Sequence, residues 1–351
     1  MSTERNKRAL PLPIPDPVLA GISPGVWLGA ALAFAAVLLG LCGLAAGSTG
    51  WSFSWSDDWS LISVIRAPRT AGAFLAGNLL GLSGAIAQGL FRNPLADPYL
   101  LGSASGATLA LVLVLAAAGA AGIPVGVTAT AWILKLGLVG AAFAGALAGV
   151  SLTLLLARGA RQPSVLLLAG VVVGVLLGAL ANLMMLISPE ALRGAQIFLL
   201  GTTGFLGWRS VGPLAAVLAV ALPVAVRYAR ALDALVLGEA TTLSLGIAIG
   251  RVRLLLIILM SLCTGAAVAQ TGLVAFVGLV APHLIRRTVI VTHGTLLILA
   301  SLAGGVLLLA ADVVARTVLP PQELPVGLLT AIVGGAYLLV LLHRRSVESP
   351  V

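Results

Sequence analysis

The sequence predicts an all-α, polytopic membrane protein with about ten transmembrane helices. Hydrophobic residues make up 60% of the 351 residues and charged residues only 9%, whereas a soluble domain carries about 25% charged residues. The apolar character persists from Val26 to Leu342 in long continuous runs, and a transmembrane barrel would instead show alternating segments of about ten residues. Helices are expected because every backbone polar group in lipid needs an internal partner.

A helix needs about 20 apolar residues to cross the hydrocarbon layer. The eighth of the candidate stretches is short and contains Pro282, which predicts a broken or partial span. A further apolar run, from Ile197 to Leu206, is too brief to cross and is expected at a membrane surface or in a vestibule. The ten candidate spans are 26–46, 64–91, 100–120, 128–156, 164–188, 210–229, 252–270, 273–290, 296–318 and 326–342.

Lysine and arginine residues fall unevenly on the two sides of this topology. With the N-terminus inside, fourteen of them lie on the side of the termini and six lie opposite. Cytoplasmic loops carry the excess of positive charge, so both termini are expected in the cytoplasm and the 48–62 loop outside. The predicted organisation is a cytoplasmic tail over 1–25, a ten-helix membrane domain over 26–345 and a second cytoplasmic tail over 346–351. The net charge of +9 is then explained by this topology and by anionic lipid headgroups, and no nucleic-acid partner is required.

No residue pattern predicts catalysis, a metal site or a resident cofactor. The only cysteines, Cys42 and Cys263, lie in separate predicted spans, and none of the three histidines has a carboxylate or thiol partner at helical spacing. Neither of the two lysines, Lys7 and Lys135, stands in a P-loop motif. The chain is therefore not expected to be an enzyme or to hydrolyse ATP by itself.

The acidic residues bear on the source of energy for transport. A proton- or sodium-coupled carrier normally keeps ionisable residues near the bilayer midplane. The acidic residues here map mostly to loops or span ends, which disfavours a stand-alone secondary transporter, and no filter-like loop favours a channel. These residues are Asp97, Glu190, Asp233, Glu239, Asp312 and Glu323.

Small residues recur every four positions in several spans. Gly170, Gly174, Gly178 and Asn182 form such a stripe in the fifth span. Stripes of this kind let helices approach closely, so plain helix packing is one interpretation. The fifth-span stripe ends in a polar amide within the membrane, which also fits the wall of a translocation path.

Four stretches of the chain form an ordered set of motifs. They are RAPRTAGAFLAGNLLGLSGAIAQGLFRNPLADPYLLGSASGA (66–107), LGEATTLSLGI (237–247), FVGLVAPHLIRR (276–287) and ADVVARTVLPPQELPVGLLTAIVGGAYLLVLLHRR (311–345). In this order they resemble the permease family of ABC importers for iron complexes and vitamin B12. The resemblance covers about residues 26–345. It implies ten helices in an inverted two-half repeat and a homodimer around a central translocation path in the bacterial inner membrane. The implied partners are two copies of a cytoplasmic ATPase, which binds ATP and Mg, and one external substrate-binding protein.

The resemblance also implies roles for individual residues. Arg66, Arg69 and Arg316 are expected to pair with acidic side chains of the binding protein. The long cytoplasmic loop, about 230–251, is expected to form two short helices that insert into the ATPase, and its candidate coupling residues are Leu237, Gly238, Glu239, Thr241, Thr242, Ser244, Leu245 and Gly246. Candidates for the path or its inner gate are Asn93, Pro94, Asp97, Gly170, Gly174, Gly178 and Asn182.

The cargo implied by the family is an iron chelate, either a ferric siderophore or haem, and cobalamin is the alternative.

A weak internal similarity between the two halves of the sequence supports the inverted repeat. Arg66 and Arg69 precede SGAIAQ on the predicted outer side, whereas Arg251 and Arg253 precede TGAAVAQ on the predicted inner side.

Overall fold

The fold is described from a computed structural model that covers residues 23–47, 50–52, 58–121, 131–157 and 163–348. The predicted tail 1–25 lies outside the described residues except for its last three positions. Much of the 48–62 loop, the first residues of the fourth predicted span and the last three residues of the chain also lie outside them. The predicted boundary at 345 falls within a helix that continues to Glu348.

The described chain is almost entirely helical. A two-residue antiparallel ladder, β1 Ala46–Gly47 with β2 Gly50–Trp51, follows the first helix. Trp59–Phe91 is one continuous helical run of 33 residues, in which α2 passes through a π-helical turn, Ile62–Arg66, into α3. The helices are α1 Pro24–Ala45, α2 Trp59–Leu61, α3 Ala67–Phe91, α4 Ser103–Ala120, α5 Ala131–Leu156, α6 Pro163–Ile187, α7 Pro189–Leu200, α8 Trp208–Arg227, α9 Ala229–Val236, α10 Glu239–Ser244, α11 Ile249–Thr271, α12 Val277–Thr288, α13 His293–Thr317 and α14 Val326–Glu348, with a 3₁₀ turn, Pro98–Leu101, before α4.

Eight helices among the described residues are long and apolar enough to cross a membrane, and each coincides with a predicted span. The other two predicted spans are shorter. The eighth is the 12-residue helix α12, which contains Pro282, so the prediction of a partial span is confirmed. The tenth is α14, whose described apolar part is Val326–Leu341.

The short apolar run predicted at 197–206 is placed differently by the structure. The helix there, α7, begins earlier because Ser188 caps it, its hydroxyl accepting a hydrogen bond from the Ala191 N–H. It ends at Gly201, whose φ of +65° breaks the helix. Residues 201–207 are therefore a non-helical connection.

Two mostly buried helices, α3 and α11, form the centre of the fold. Helix α3 packs against α12 and α13, which follow α11 in the chain, while α11 packs against α4 and α5, which follow α3. Each central helix therefore contacts the elements next to the other one. This reciprocal arrangement is what an inverted two-half repeat predicts.

Irregular backbone follows each central helix and is only partly buried: Asn93 and Pro94 are exposed, whereas Ala96 and Val274 are buried. After α3 the chain turns at Arg92, which has a φ of +50°, and returns to the 3₁₀ turn Pro98–Leu101. After α11 it turns at Gly272 and begins α12 after Phe276, which has a φ of +67°. The two connections meet, because the Tyr99 hydroxyl donates to the Val274 carbonyl at 3.1 Å. Protein groups thus satisfy backbone polar atoms that have no partner within a helix.

Backbone-to-backbone packing joins α3 to α13. A methyl group added at Gly77 would collide with the Gly304 carbonyl, and one at Gly81 would collide with the Ala300 carbonyl. The Ser301 hydroxyl, on the same face of α13, donates to the Asn78 carbonyl at 3.1 Å. Lipid is as apolar as the side chains, so close van der Waals packing and interhelical hydrogen bonds must hold such helices together.

Substitution of Gly81 tests this packing. We expect Gly81→Ala to lower the free energy of unfolding by about 1–3 kcal/mol, because the added methyl forces α3 and α13 apart. Gly40→Ala is the matched control, since a Cβ at Gly40 in α1 meets nothing within 4 Å. Thermal unfolding of the detergent-solubilised protein measures the difference. Equal melting temperatures for the two variants would contradict a close α3–α13 contact.

Candidate functional site

The three arginines predicted to dock a binding protein come together in space. Arg69 Nε lies 3.0 Å from Asp312 Oδ1, and Arg69 Nη1 lies 2.7 Å from Glu323 Oε2. Arg316 forms an ion pair with the other oxygen of Asp312, one helical turn away. We call the set of Arg66, Arg69, Arg316, Asp312 and Glu323 the arginine cluster.

The cluster is built into the end of α1. Arg66 Nη1 donates to the carbonyls of Leu44 and Ala45 at 3.1 and 3.2 Å, and Arg316 Nη1 donates to the Gly43 carbonyl at 3.0 Å. The last carbonyls of a helix lack intrahelical partners, and cations are favoured at that end. These arginines thus hold α1 against α3 and α13.

The arginine cluster is mostly buried. Relative exposure is 4% for Arg66, 7% for Arg69 and 1% for Arg316, and Asp312 is fully buried. Only the Glu323 side chain, on the turn between α13 and α14, is substantially exposed, at 32%. A cavity of about 150 Å³ adjoins the cluster, lined by its three arginines and Glu323 together with Ala46, Gly47, Leu61 and Ile65.

At the opposite end of the molecule, the 230–251 loop contains two short helices, α9 and α10, as the sequence predicts. Gly238 and Gly246 adopt φ values of +103° and +76°, a region that favours glycine. The Thr242 hydroxyl donates to the Ala234 and Gly238 carbonyls at 2.9 and 2.7 Å and closes the turn between the two helices. Thr242 is fully buried, so its polar contacts are made within the α9–α10 element, and its role in coupling stays a prediction.

One ion pair and one Asp–His contact anchor this α9–α10 element to the membrane helices. Glu239 Oε1 lies 2.6 Å from Arg253 Nη2 on α11. Asp233 Oδ1 lies 2.7 Å from His293 Nδ1 and accepts the His293 backbone N–H at 3.0 Å, at the start of α13. The α9–α10 element is thereby attached to two helices that pack against the central helix α3.

The surface of the α9–α10 element is unusually apolar. Val236 is 61% exposed, Leu237 67%, Leu243 60% and Leu245 61%. We call these four residues the exposed leucine patch. Exposed apolar side chains grouped on one short element mark a surface for another macromolecule or for lipid.

The glycine stripe of α6 faces the neighbouring helix. A Cβ at Gly170 would collide with the Leu100 carbonyl, and Cβ atoms at Gly174 and Gly178 would lie 3.8 and 3.9 Å from the Ser105 hydroxyl. Four-residue spacing drifts by about 40° per step in a 3.6-residue helix. Asn182, three such steps beyond Gly170, is rotated from it by about 120° and is exposed.

The predicted gate residues lie in the connection after α3. Asn93 and Pro94 are exposed, and the Asn93 side chain accepts the Leu95 N–H at 2.9 Å. Asp97 caps the 3₁₀ turn by accepting the Tyr99 N–H at 2.8 Å. Burial raises the pKa of Asp97 to about 6, against the opposing effect of that hydrogen bond. Their role at a gate, like the path role of the α6 stripe, stays a prediction.

A family model described as the FecCD transport family matches residues 35–344. The chain belongs to the FecCD transport family. It is 37% identical over 332 residues to the hemin transport system permease protein HmuU of Yersinia pestis, and the alignment covers 92% of this chain and 97% of HmuU. It is 36% identical over 291 residues to the cobalamin import system permease protein BtuC of Halobacterium salinarum, covering 82% and 75%.

A solved structure supports the same assignment. The FecCD chain superposes with a TM-score of 0.78 and 28% sequence identity on a metal-chelate type ABC transporter in an inward-facing conformation, covering 92% of this chain and all of the other. The recognition of a permease of the iron-complex and vitamin B12 importer family is thus confirmed, as is the all-α membrane fold. Among the residues that the structure describes, no group of three or more His, Cys, Asp or Glu side chains could hold a metal ion.

Several residues of these sites escaped the sequence analysis. Asp312 and Glu323 were assigned to span ends, whereas Asp312 joins two arginines in the interior. The four-residue spacing of Asp312 and Arg316 was an available signal, because such pairs share one helical face. Asp233 and His293 gave no comparable signal, since they are 60 positions apart.

Removal of the buried carboxylate tests how the arginine cluster contributes to stability. We expect Asp312→Asn to lower the free energy of unfolding by about 3–5 kcal/mol, because it leaves buried arginines without their partner. Glu323→Gln should cost less than about 1 kcal/mol, because an ion pair at a partly exposed position is screened by solvent. Thermal unfolding in detergent compares the two variants. Similar small losses for both would show that the buried pairs contribute little.

Proposed function

We propose that this FecCD chain is the membrane-spanning subunit of an ABC importer that moves an iron chelate into the bacterial cytoplasm. The single observation that carries the proposal is the α9–α10 element, which exposes four apolar side chains while the Glu239–Arg253 ion pair ties it to α11 and the Asp233–His293 contact ties it to α13. A surface loop of this kind would be covered by a separate subunit. That subunit is a cytoplasmic ATPase, which supplies the site for ATP and Mg.

The distribution of exposed arginines supports the orientation. Six arginines are exposed near the end of the bundle that carries the α9–α10 element, where the positive-inside rule favours the cytoplasm. Helix α1 begins at this end, because Gly25 faces Val291 and Thr295, and α14 begins at the other end, after Glu323. Both termini are then cytoplasmic and the chain lies in the inner membrane. The six are Arg92, Arg227, Arg230, Arg251, Arg286 and Arg287.

Asn182 supports a homodimer around a central path. Its amide is exposed on α6 among apolar neighbours such as Leu180 and Leu183. A polar side chain that faced lipid would cost free energy, which favours a position between two copies of the chain or beside a water-filled path. Two copies of this chain would then recruit two copies of the ATPase.

The arginine cluster supports docking of one external substrate-binding protein. It lies at the end of the bundle opposite the α9–α10 element, and its adjoining cavity is lined by three cationic side chains. Acidic side chains of a partner would be steered to such a surface. Because the same arginines hold α1 in place, conservative substitutions are needed to test docking without loss of the fold.

The similarity to relatives supports haem or another ferric chelate as the cargo. The hemin permease HmuU matches nearly the whole of both chains, and the structural relative is a metal-chelate type transporter. The cobalamin permease BtuC matches at almost the same identity, so cobalamin is the second candidate.

Reconstitution tests this function directly. The chain is placed in liposomes with the ATPase and binding protein encoded nearest to it, and uptake of haem, a ferric siderophore and cobalamin is measured. We expect ATP-dependent uptake of an iron chelate only when all three components are present. A Leu243→Glu variant should lose ATPase co-purification and uptake, because it places a charge in the exposed leucine patch, yet still bind the external protein.

The control for Leu243→Glu is Ile290→Glu, which adds the same charge at the same end of the molecule outside the α9–α10 element. Ile290 is fully exposed, and this variant should retain the ATPase. Uptake that proceeds without any ATPase would indicate a stand-alone carrier. Retention of the ATPase by Leu243→Glu would argue against the exposed leucine patch as its binding surface.

Cross-linking tests the dimer. After Cys42 and Cys263 are replaced by serine, we expect Asn182→Cys to form a disulfide-linked or bismaleimide-linked dimer, because the two copies of α6 would face each other across the path. Phe34→Cys, at a position of α1 that is 71% exposed, is the control and should stay monomeric on denaturing gels. Equal cross-linking of the two variants would point to random collision in the membrane.

A further inference from the structure

Arg69 serves two carboxylates of very different kinds. Asp312 is fully buried on α13 and also binds Arg316 and the Thr203 hydroxyl. Glu323 belongs to the surface turn between α13 and α14, and its side chain is 32% exposed. The turn is tied back by a hydrogen bond from the Leu324 N–H to the Ala315 carbonyl at 3.0 Å. Asp312 is thus part of the interior, whereas Glu323 reaches Arg69 from the surface.

The cluster carries more positive than negative charge. Three guanidinium groups, of Arg66, Arg69 and Arg316, face two carboxylates, of Asp312 and Glu323, which leaves one positive charge uncompensated. The Nε atoms of Arg66 and Arg316 are buried and have no hydrogen-bond partner in the part of the chain that the structure describes. The cavity of about 150 Å³ beside them is lined by all three arginines and by Glu323. A buried, uncompensated cation strongly favours a further anion.

We propose that Glu323 occupies the position on Arg69 that a carboxylate of the external binding protein takes, so that docking exchanges one carboxylate for another. This inference rests on the proposed docking role of the arginine cluster. In the free permease, Asp312 pairs with Arg69 Nε and Glu323 pairs with Arg69 Nη1. Without Glu323, Nη1 would have no carboxylate partner. On docking, the turn that carries Glu323 moves aside, and a carboxylate of the binding protein takes the place of Glu323 at Arg69 Nη1.

The exchange makes Glu323 a determinant of specificity. An incoming group must compete with a carboxylate that is already held 2.7 Å from Arg69, so neutral or weakly acidic surfaces gain nothing at this position. A carboxylate of the binding protein can displace Glu323, because a partly exposed ion pair contributes only about 0.2–1 kcal/mol. Glu323 therefore selects for an acidic partner without closing the site to it.

Binding measurements with Glu323→Gln test the proposal. The dissociation constant for the binding protein that supports uptake is measured on permease in nanodiscs at low and high salt. We expect Glu323→Gln to lower the dissociation constant about fivefold at low salt, which corresponds to the upper end of the free energy that such an ion pair contributes. This difference should shrink at high salt, because salt screens the charges. Glu190→Gln removes an exposed negative charge from the same end of the molecule, outside the cluster, and should change the constant far less.

A small carboxylate provides a measurement that needs no partner. Potassium acetate should raise the melting temperature of Glu323→Gln relative to potassium chloride at the same concentration, because acetate can take the vacated place on Arg69. The wild-type protein and Glu190→Gln should show no such difference. This measurement tests whether Glu323 occupies a carboxylate site on Arg69, and it does so even if no binding protein associates with the permease.

Arg69→Lys separates the two levels of the proposal. If this variant, shown to be folded by its melting curve, binds the partner as the wild type does, the docking role of the arginine cluster is wrong. If Arg69→Lys weakens binding but Glu323→Gln leaves it unchanged, or changes it no more than Glu190→Gln, only the exchange is wrong. Weaker binding by Glu323→Gln also overturns the exchange, since Glu323 would then be a contact to the partner.

Discussion

Direct contact between the backbones of α3 and α13 is the constraint on which the other features depend. Glycine at 77, 81 and 304 removes the side chains that would separate the helices, and lipid supplies no hydrophobic force to hold them together otherwise. The contact brings Arg69 on α3 within reach of Asp312 on α13, 243 positions later in the sequence. On the same central helix, Gln88 donates to the Leu279 carbonyl of α12 at 3.0 Å, which attaches α12 to α3 as well.

The sequence was informative where composition and local spacing decide the structure. Hydropathy located the membrane helices, Pro282 marked the broken one, and the glycines at 238 and 246 marked the ends of α10. The arginine cluster was harder, because nothing local shows that Arg69 meets Asp312 and Glu323. The burial of Thr242 was not predictable either, because its hydroxyl contacts two carbonyls at a turn between α9 and α10 that exists only in the folded element.

The α6 stripe illustrates how one pattern can mix two environments. Its three glycines face the 3₁₀ turn and the start of α4, and so they favour the packing interpretation. Asn182 follows them at the same spacing but lies on a different face, because the helix gains 40° at each step. The polar end of a stripe therefore need not share the surroundings of its small residues, and only the three-dimensional arrangement separates them.

Helix α13 is held by polar contacts at both of its ends. Its first residue, His293, is held by Asp233 of the α9–α10 element, and its penultimate residue, Arg316, is bound within the arginine cluster. At 1.5 Å per residue its 25 residues extend about 37 Å, roughly the full thickness of a bilayer. A continuous helix of this length, packed along α3, resists bending at its centre. A tilt imposed on this helix at one end would therefore displace its other end directly, without a chain of side-chain rearrangements in between.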